Sequence, residues 1–158
     1  MKNVDRLAAL FVTVGTCLPA AHASPPPELC KALRAFIESI KPDEKREFTF
    51  HTSWGQNFKD APEPAIFAKR CEHGDYEPAK KVCDYLMKNG SAEFADANVK
   101  NAVSCLSSKT RFDPLMQVSK GAFSFSYGSN NRGALIDVTL QTDDKLGGMA
   151  FQLVADGY

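Results

Sequence analysis

The chain is poor in the residues that chemistry usually draws on. It has three histidines and one tryptophan, and its 19 basic residues are cancelled by 19 acidic ones. Without a basic excess no nucleic-acid partner is expected, and no lysine- or arginine-rich tract offers a membrane-surface patch. Beyond Ala23 no apolar run reaches the ~20 residues that cross a bilayer, so stable membrane insertion is not expected. The G-x-S-x-G, P-loop and dinucleotide-binding patterns are missing, and no cofactor is implied. There is no internal repeat and no low-complexity tract.

What is present begins with an export signal. Lys2 and Arg6 lead into a mostly apolar run from Leu7 to Leu18, too short to span a membrane and followed by Pro19. Ala21-His22-Ala23 is a small-residue cleavage site. Residues 1–23 therefore read as a cleaved signal peptide and residues 24–158 as a single globular domain, periplasmic or secreted. Removal of the signal takes Lys2, Arg6, Asp5 and His22, leaving a net charge of −1 and the histidines His51 and His73.

Cys17 leaves with the signal, and Cys30, Cys71, Cys83 and Cys105 remain. An even number of cysteines in an exported chain implies two disulfides. A zinc site from Cys71, His73, Cys83 and Cys105 would lack the short paired spacing typical of such sites, so no metal site is expected.

The periodicities place the elements. Leu29, Leu33, Phe36, Ile37 and Ile40 make one helical stripe that ends at Lys41-Pro42. Glu47 to Thr52 alternates as a short strand, with Phe48 and Phe50 inward and Thr49 and His51 outward. A proline-containing loop follows, and Ala65 to Glu72 reads as a short helix. Asp75 is placed to cap a helix ending at Asn89-Gly90, and Ser91 to cap another whose inner stripe runs from Ala95 to Leu106. The connection at Gly90-Ser91 is short enough to predict two antiparallel helices side by side. Beyond Pro114 the period falls to two. Phe123 to Tyr127, Ala134 to Gln141 and Met149 to Val154 alternate as an antiparallel meander. The expected fold is α+β and two-layered, with about four helices on one face of a mainly antiparallel sheet of about four strands.

Treating the Ala65–Glu72 segment as helical sets the expected disulfides. Across the Gly90 turn, Cys83 and Cys105 are offset by about seven residues, or roughly 10 Å at helical rise. Across the His73–Asp75 turn, Cys71 and Cys83 are offset by roughly 9 Å. Bridged Cα atoms lie no more than about 7 Å apart. Cys71 with Cys105 and Cys30 with Cys83 are therefore the expected pairs.

Candidate functional residues are few. Glu72-His73-Gly74-Asp75 is the densest titratable cluster, and Trp54 stands in a loop close to His51. The outward face of the sheet carries Thr49, His51, Ser124, Ser126, Asp137, Thr139, Gln141 and Gln152. His51, Trp54, His73, Asp137, Thr139 and Gln141 are the candidate binding residues, and no residue is assigned a catalytic role. A stapled, near-neutral exported domain without catalytic signatures parallels small exported inhibitors and immunity proteins. The expected function is a non-enzymatic binding protein with a protein partner, possessing a polar sheet face and a free edge for docking. The alternative is a small secreted hydrolase using His73 or His51 with a nearby carboxylate.

Overall fold

A computed structural model of the chain describes residues 24–158, and the expected signal peptide lies outside the described residues. The chain runs α1 (Pro27–Glu38), β1 (Lys45–Trp54), β2 (Phe67–Glu72), α2 (Glu77–Asn89), α3 (Ala95–Leu106), β3 (Gly121–Ser129), β4 (Arg132–Thr142) and β5 (Met149–Gly157). The strands form one sheet in the order β2-β1-β5-β4-β3, antiparallel at every pairing. The α+β class is as expected. In element type one segment differs, Ala65 to Glu72 holding a strand where a helix was expected, so the described residues form three helices and five strands.

The core forms where the helical stripes meet the inward side of the alternation. Leu29, Leu33, Phe36 and Ile37 of α1 are buried against Phe48 and Phe50 of β1, Phe151 and Leu153 of β5, and Ile136 and Val138 of β4. Burying each such side chain contributes about 1.5–3 kcal/mol. Phe36 meets Phe48 edge to face with ring centroids 5.8 Å apart, and Phe48 meets Phe151 in the same way at 5.5 Å. α1 is the middle helix. It packs on both α2 and α3, which do not pack along one another, so the expected side-by-side pair is parted by α1. Loop chemistry explains this. Asn98 reaches back to Ser91, accepting from its N–H at 2.9 Å and donating to its carbonyl at 2.8 Å, so Gly90 to Phe94 is a pinned turn rather than the start of a helix. The caps differ too: α2 starts after Tyr76 and α3 after Phe94, neither with a side-chain cap at that position. Ser91 Oγ instead accepts the Phe94 N–H at 2.9 Å.

Both expected disulfide pairs are corrected. The bridges are Cys30–Cys105 and Cys71–Cys83, with Cα separations of 4.9 and 5.5 Å. The reason is the difference in rise between strand and helix. From Cys71, one residue before the end of β2, the chain runs out to the turn at Gly74, a path of up to roughly 10 Å at extended rise. Six or seven helical residues from Tyr76 to Cys83 cover about the same distance on the return, at roughly 1.5 Å each. The two cysteines thus come level. Had residues 65–72 been helical they would have been out of step. Cys30, in the first turns of α1, is left to join Cys105 at the end of α3. Two disulfides suit an oxidising compartment. None of the described helices is long and apolar enough to cross a membrane.

Candidate functional site

The helices cover one face of the sheet, and the other face divides in two. Over β3 and β4 it is open: Ser124, Ser126, Leu135, Asp137 and Gln141 are exposed and Thr139 is half-buried. Ser124 Oγ donates to Asp137 Oδ1 at 2.5 Å. Asp137, Thr139 and Gln141 are therefore collected in one column of β4, as the alternation requires.

At the β1–β2 end the same face is roofed. The loop after Trp54 sends in Phe58 and the β4–β5 turn sends in Leu146, both buried. Leu146 is the only apolar residue between Thr142 and Gly147, the signature of an anchor in an otherwise polar turn. The two loops are joined where the Lys59 N–H donates to the Leu146 carbonyl at 2.8 Å. Arg70 lies over the Phe58 ring and pairs through both of its terminal nitrogens with Asp60. Gly148 allows the roof to close. Its φ is +78°, and a Cβ there would stand 2.1 Å from the Thr52 carbonyl oxygen.

Under this roof lies His51, expected at the surface and found 8% exposed. Its Nδ1 is 2.6 Å from Asp143 Oδ2, and its Nε2 is 3.8 Å from Glu72 Oε1. Burial pushes the Asp143 carboxyl up, but the Leu146 N–H, His51 and the Lys145 N–H together hold it below the ordinary aspartate range. An ionised Asp143 can only accept, so Nδ1 carries a proton toward it, and Nε2 is the ring nitrogen left free of Asp143. Among the described residues neither Nε2 nor the neighbouring Ser53 Oγ has a hydrogen-bond partner, and both atoms are enclosed. The Asp143 contact was not legible in the sequence, because 92 residues separate it from His51.

His73 stands apart from this pair. It opens the turn between β2 and α2, half-buried, and its carbonyl accepts the Tyr76 N–H at 3.0 Å. Among the described residues no carboxylate lies within ion-pair distance of it, although Glu72 and His73 share a shallow depression with Lys45, Arg46 and Tyr76. The thiols a zinc site would need here are consumed in the disulfides.

Trp54 faces the other way. It follows Phe48, Phe50 and Thr52 on the helix-covered side of β1 but lies past the helices, 52% exposed. Phe67, directly opposite on β2, stacks on it with ring centroids 6.5 Å apart and is 54% exposed. Ile66 adjoins them at 75% exposure, its carbonyl holding the Gly55 N–H at 2.8 Å. The two aromatics rim a depression of about 240 Å³ floored by Lys69 and residues 90–93. Phe94, at the same loop, is also exposed. Phe67 and Ile66 went unrecognised because residues 65–72 were expected to be helical. The prolines Pro62 and Pro64 just before them were the available sign of an extended segment.

Six candidate residues thus resolve into three places: Asp137, Thr139 and Gln141 on the open face, with His51 roofed at its far end, Trp54 at the hairpin end, and His73 in a separate turn. Compared with known protein families, curated proteins and solved structures, the chain matches none.

Proposed function

We propose that this protein is an exported, non-enzymatic binding protein that docks on another protein, an enzyme that it inhibits or neutralises being the type of target, in the periplasm or outside the cell. One observation carries the reading: Trp54 and Phe67, stacked on one another at the end of the β1–β2 hairpin, are both more than half exposed, and Ile66 beside them in the chain is exposed as well. Exposed aromatics gathered in one patch mark interaction surfaces, and tryptophan is among the residues on which binding energy concentrates. The patch is also braced. Cys71–Cys83 ties β2 to α2, and Lys69 Nζ donates to the Gly90 carbonyl at 3.2 Å. A braced surface loses little conformational freedom on docking. Asp137, Thr139 and Gln141 offer a polar second surface on the open face.

The test is capture of a stoichiometric protein from the envelope fraction of the source cells, using the oxidised mature chain. Trp54→Ala combined with Phe67→Ala is expected to weaken capture by roughly 30-fold or more, the effect of losing about 2 kcal/mol at a hot spot. Thr139→Lys should leave capture unchanged. The reverse pattern would move the binding surface to the open sheet face.

The His51–Asp143 contact favours a second reading, a small secreted hydrolase. Asp143 orients the ring, and in a neutral ring Nε2 is the acceptor that a general base requires. Turnover of an ester, amide or glycoside that disappears in His51→Gln and survives Trp54→Ala would establish this reading and remove the first.

A further inference from the structure

We infer that two copies of this chain associate edge to edge through β3, their sheets joining about a two-fold axis at Phe125. The two edges of the sheet differ in kind. The β2 edge is six residues long, carries Lys69, Arg70 and Glu72, and is tied to α2 through Cys71. The β3 edge is nine residues long, Gly-Ala-Phe-Ser-Phe-Ser-Tyr-Gly-Ser, with no charge and no proline. Sheet edges are ordinarily blunted by such residues or by shortness, and β3 has none of these protections. α1 reaches it only at one end, where Tyr127 donates to Glu38 at 3.0 Å, and Phe112 meets Phe123 edge to face at 5.6 Å, so Phe123, Phe125 and Tyr127 remain half-buried on the helix side of the sheet.

The direction of the backbone groups follows from β4. Gly133 exchanges both of its backbone hydrogen bonds with Tyr158, at 3.2 and 3.0 Å, so it turns them away from its β3 neighbour Gly128. Alternation along the ladder then directs the N–H and C=O groups of Ala122, Ser124, Ser126 and Gly128 to the free edge.

Those groups select the occupant. In an antiparallel pairing about Phe125, Ser124 faces the partner's Ser126 and Ala122 faces the partner's Gly128, so edge-directed groups meet edge-directed groups. On the helix side Phe125 meets its own copy and Phe123 meets the partner's Tyr127. Aromatic cross-strand pairs are favourable, and no charges are opposed. A second copy of this chain is therefore complementary to the edge in backbone and in aromatics, and it brings no like charges together. The interface is narrow beside that of an obligate dimer, so the association is concentration-dependent.

Sedimentation velocity on the oxidised mature chain, from about 1 µM to about 1 mM, tests this, and the wild type is expected to shift from monomer to dimer. Ser124→Lys with Ser126→Lys opposes like charges at two places and should keep the chain monomeric throughout. Ser124→Lys with Ser126→Glu puts opposite charges face to face in this register and should lower the midpoint concentration relative to the double-lysine variant by at least tenfold. Both serines are exposed, so melting temperature and far-ultraviolet circular dichroism should match wild type and confirm intact folds. A wild type monomeric at about 1 mM, or a dimer that the double-lysine variant leaves intact, would overturn the inference.

Discussion

Asp143 does more than face His51. Its Oδ1 accepts the N–H groups of Lys145 and Leu146 at 3.0 and 2.9 Å, so one carboxylate holds both the turn and the ring beneath it. Its depressed pKa sets the sign of the pH dependence. A carboxyl with a folded value below its unfolded value of ~3.9 contributes stability in full above that value and loses it as pH falls through the folded value. Asp143→Asn, which keeps the shape, should therefore lower stability relative to wild type at pH 7. The gap should persist down to about pH 4 and close below it, as chemical denaturation at a series of pH values will show. A gap unchanged at pH 2 would mean that the charge of Asp143 is not what the site uses. Gly148 gives a second expectation at this scale. Gly148→Ala brings both a left-handed side chain and a clash with the Thr52 carbonyl, so a loss of roughly 2 kcal/mol or more is expected in denaturant titration. Phe58 and Leu146 should loosen first in that variant, being the residues that roof this end of the sheet.

Elements with a strong period of their own were readable from the chain. The α1 stripe emerged because four buried residues and Ile40 recur on one helical face, and β4 because Ala134, Ile136, Val138 and Leu140 alternate without a break. β2 was not readable. Its six residues, Phe-Ala-Lys-Arg-Cys-Glu, are half-exposed along an edge, so neither period is enforced, and pairing with β1 decides the state. That one element propagated into the disulfides, because a strand and a helix advance at different rates per residue. His51 illustrates a different limit. Its alternation correctly assigned it to the face away from the helices, but only the tertiary approach of two loops buries that end. The connectivity also ranks the bridges. Chain-entropy arguments give about 4 kcal/mol for Cys30–Cys105, which closes 75 residues, and about 3 kcal/mol for Cys71–Cys83, which closes 12. Cys30→Ser with Cys105→Ser should therefore unfold at lower denaturant than Cys71→Ser with Cys83→Ser. Peptide mapping without reduction should recover Cys30–Cys105 and Cys71–Cys83, and a Cys71–Cys105 peptide would restore the helical reading of residues 65–72.

At the scale of the whole molecule, one helical layer spends its apolar surface on one sheet face, leaving three surfaces without a partner. They are the polar column on β4, the uncharged β3 edge and the aromatic end of the β1–β2 hairpin. The last has the greatest apolar exposure and is braced by the Cys71–Cys83 bridge, which is why it is the proposed docking surface for a protein partner. The most direct measurement is the hydrogen-exchange footprint of the oxidised mature chain in complex with its captured partner. New protection is expected in peptides covering Trp54, Ile66 to Lys69 and Gly90 to Phe94, with the Asp137 to Gln141 stretch unchanged. Protection confined to Asp137 to Gln141, with exchange around Trp54 and Phe67 unaltered, would contradict the assignment.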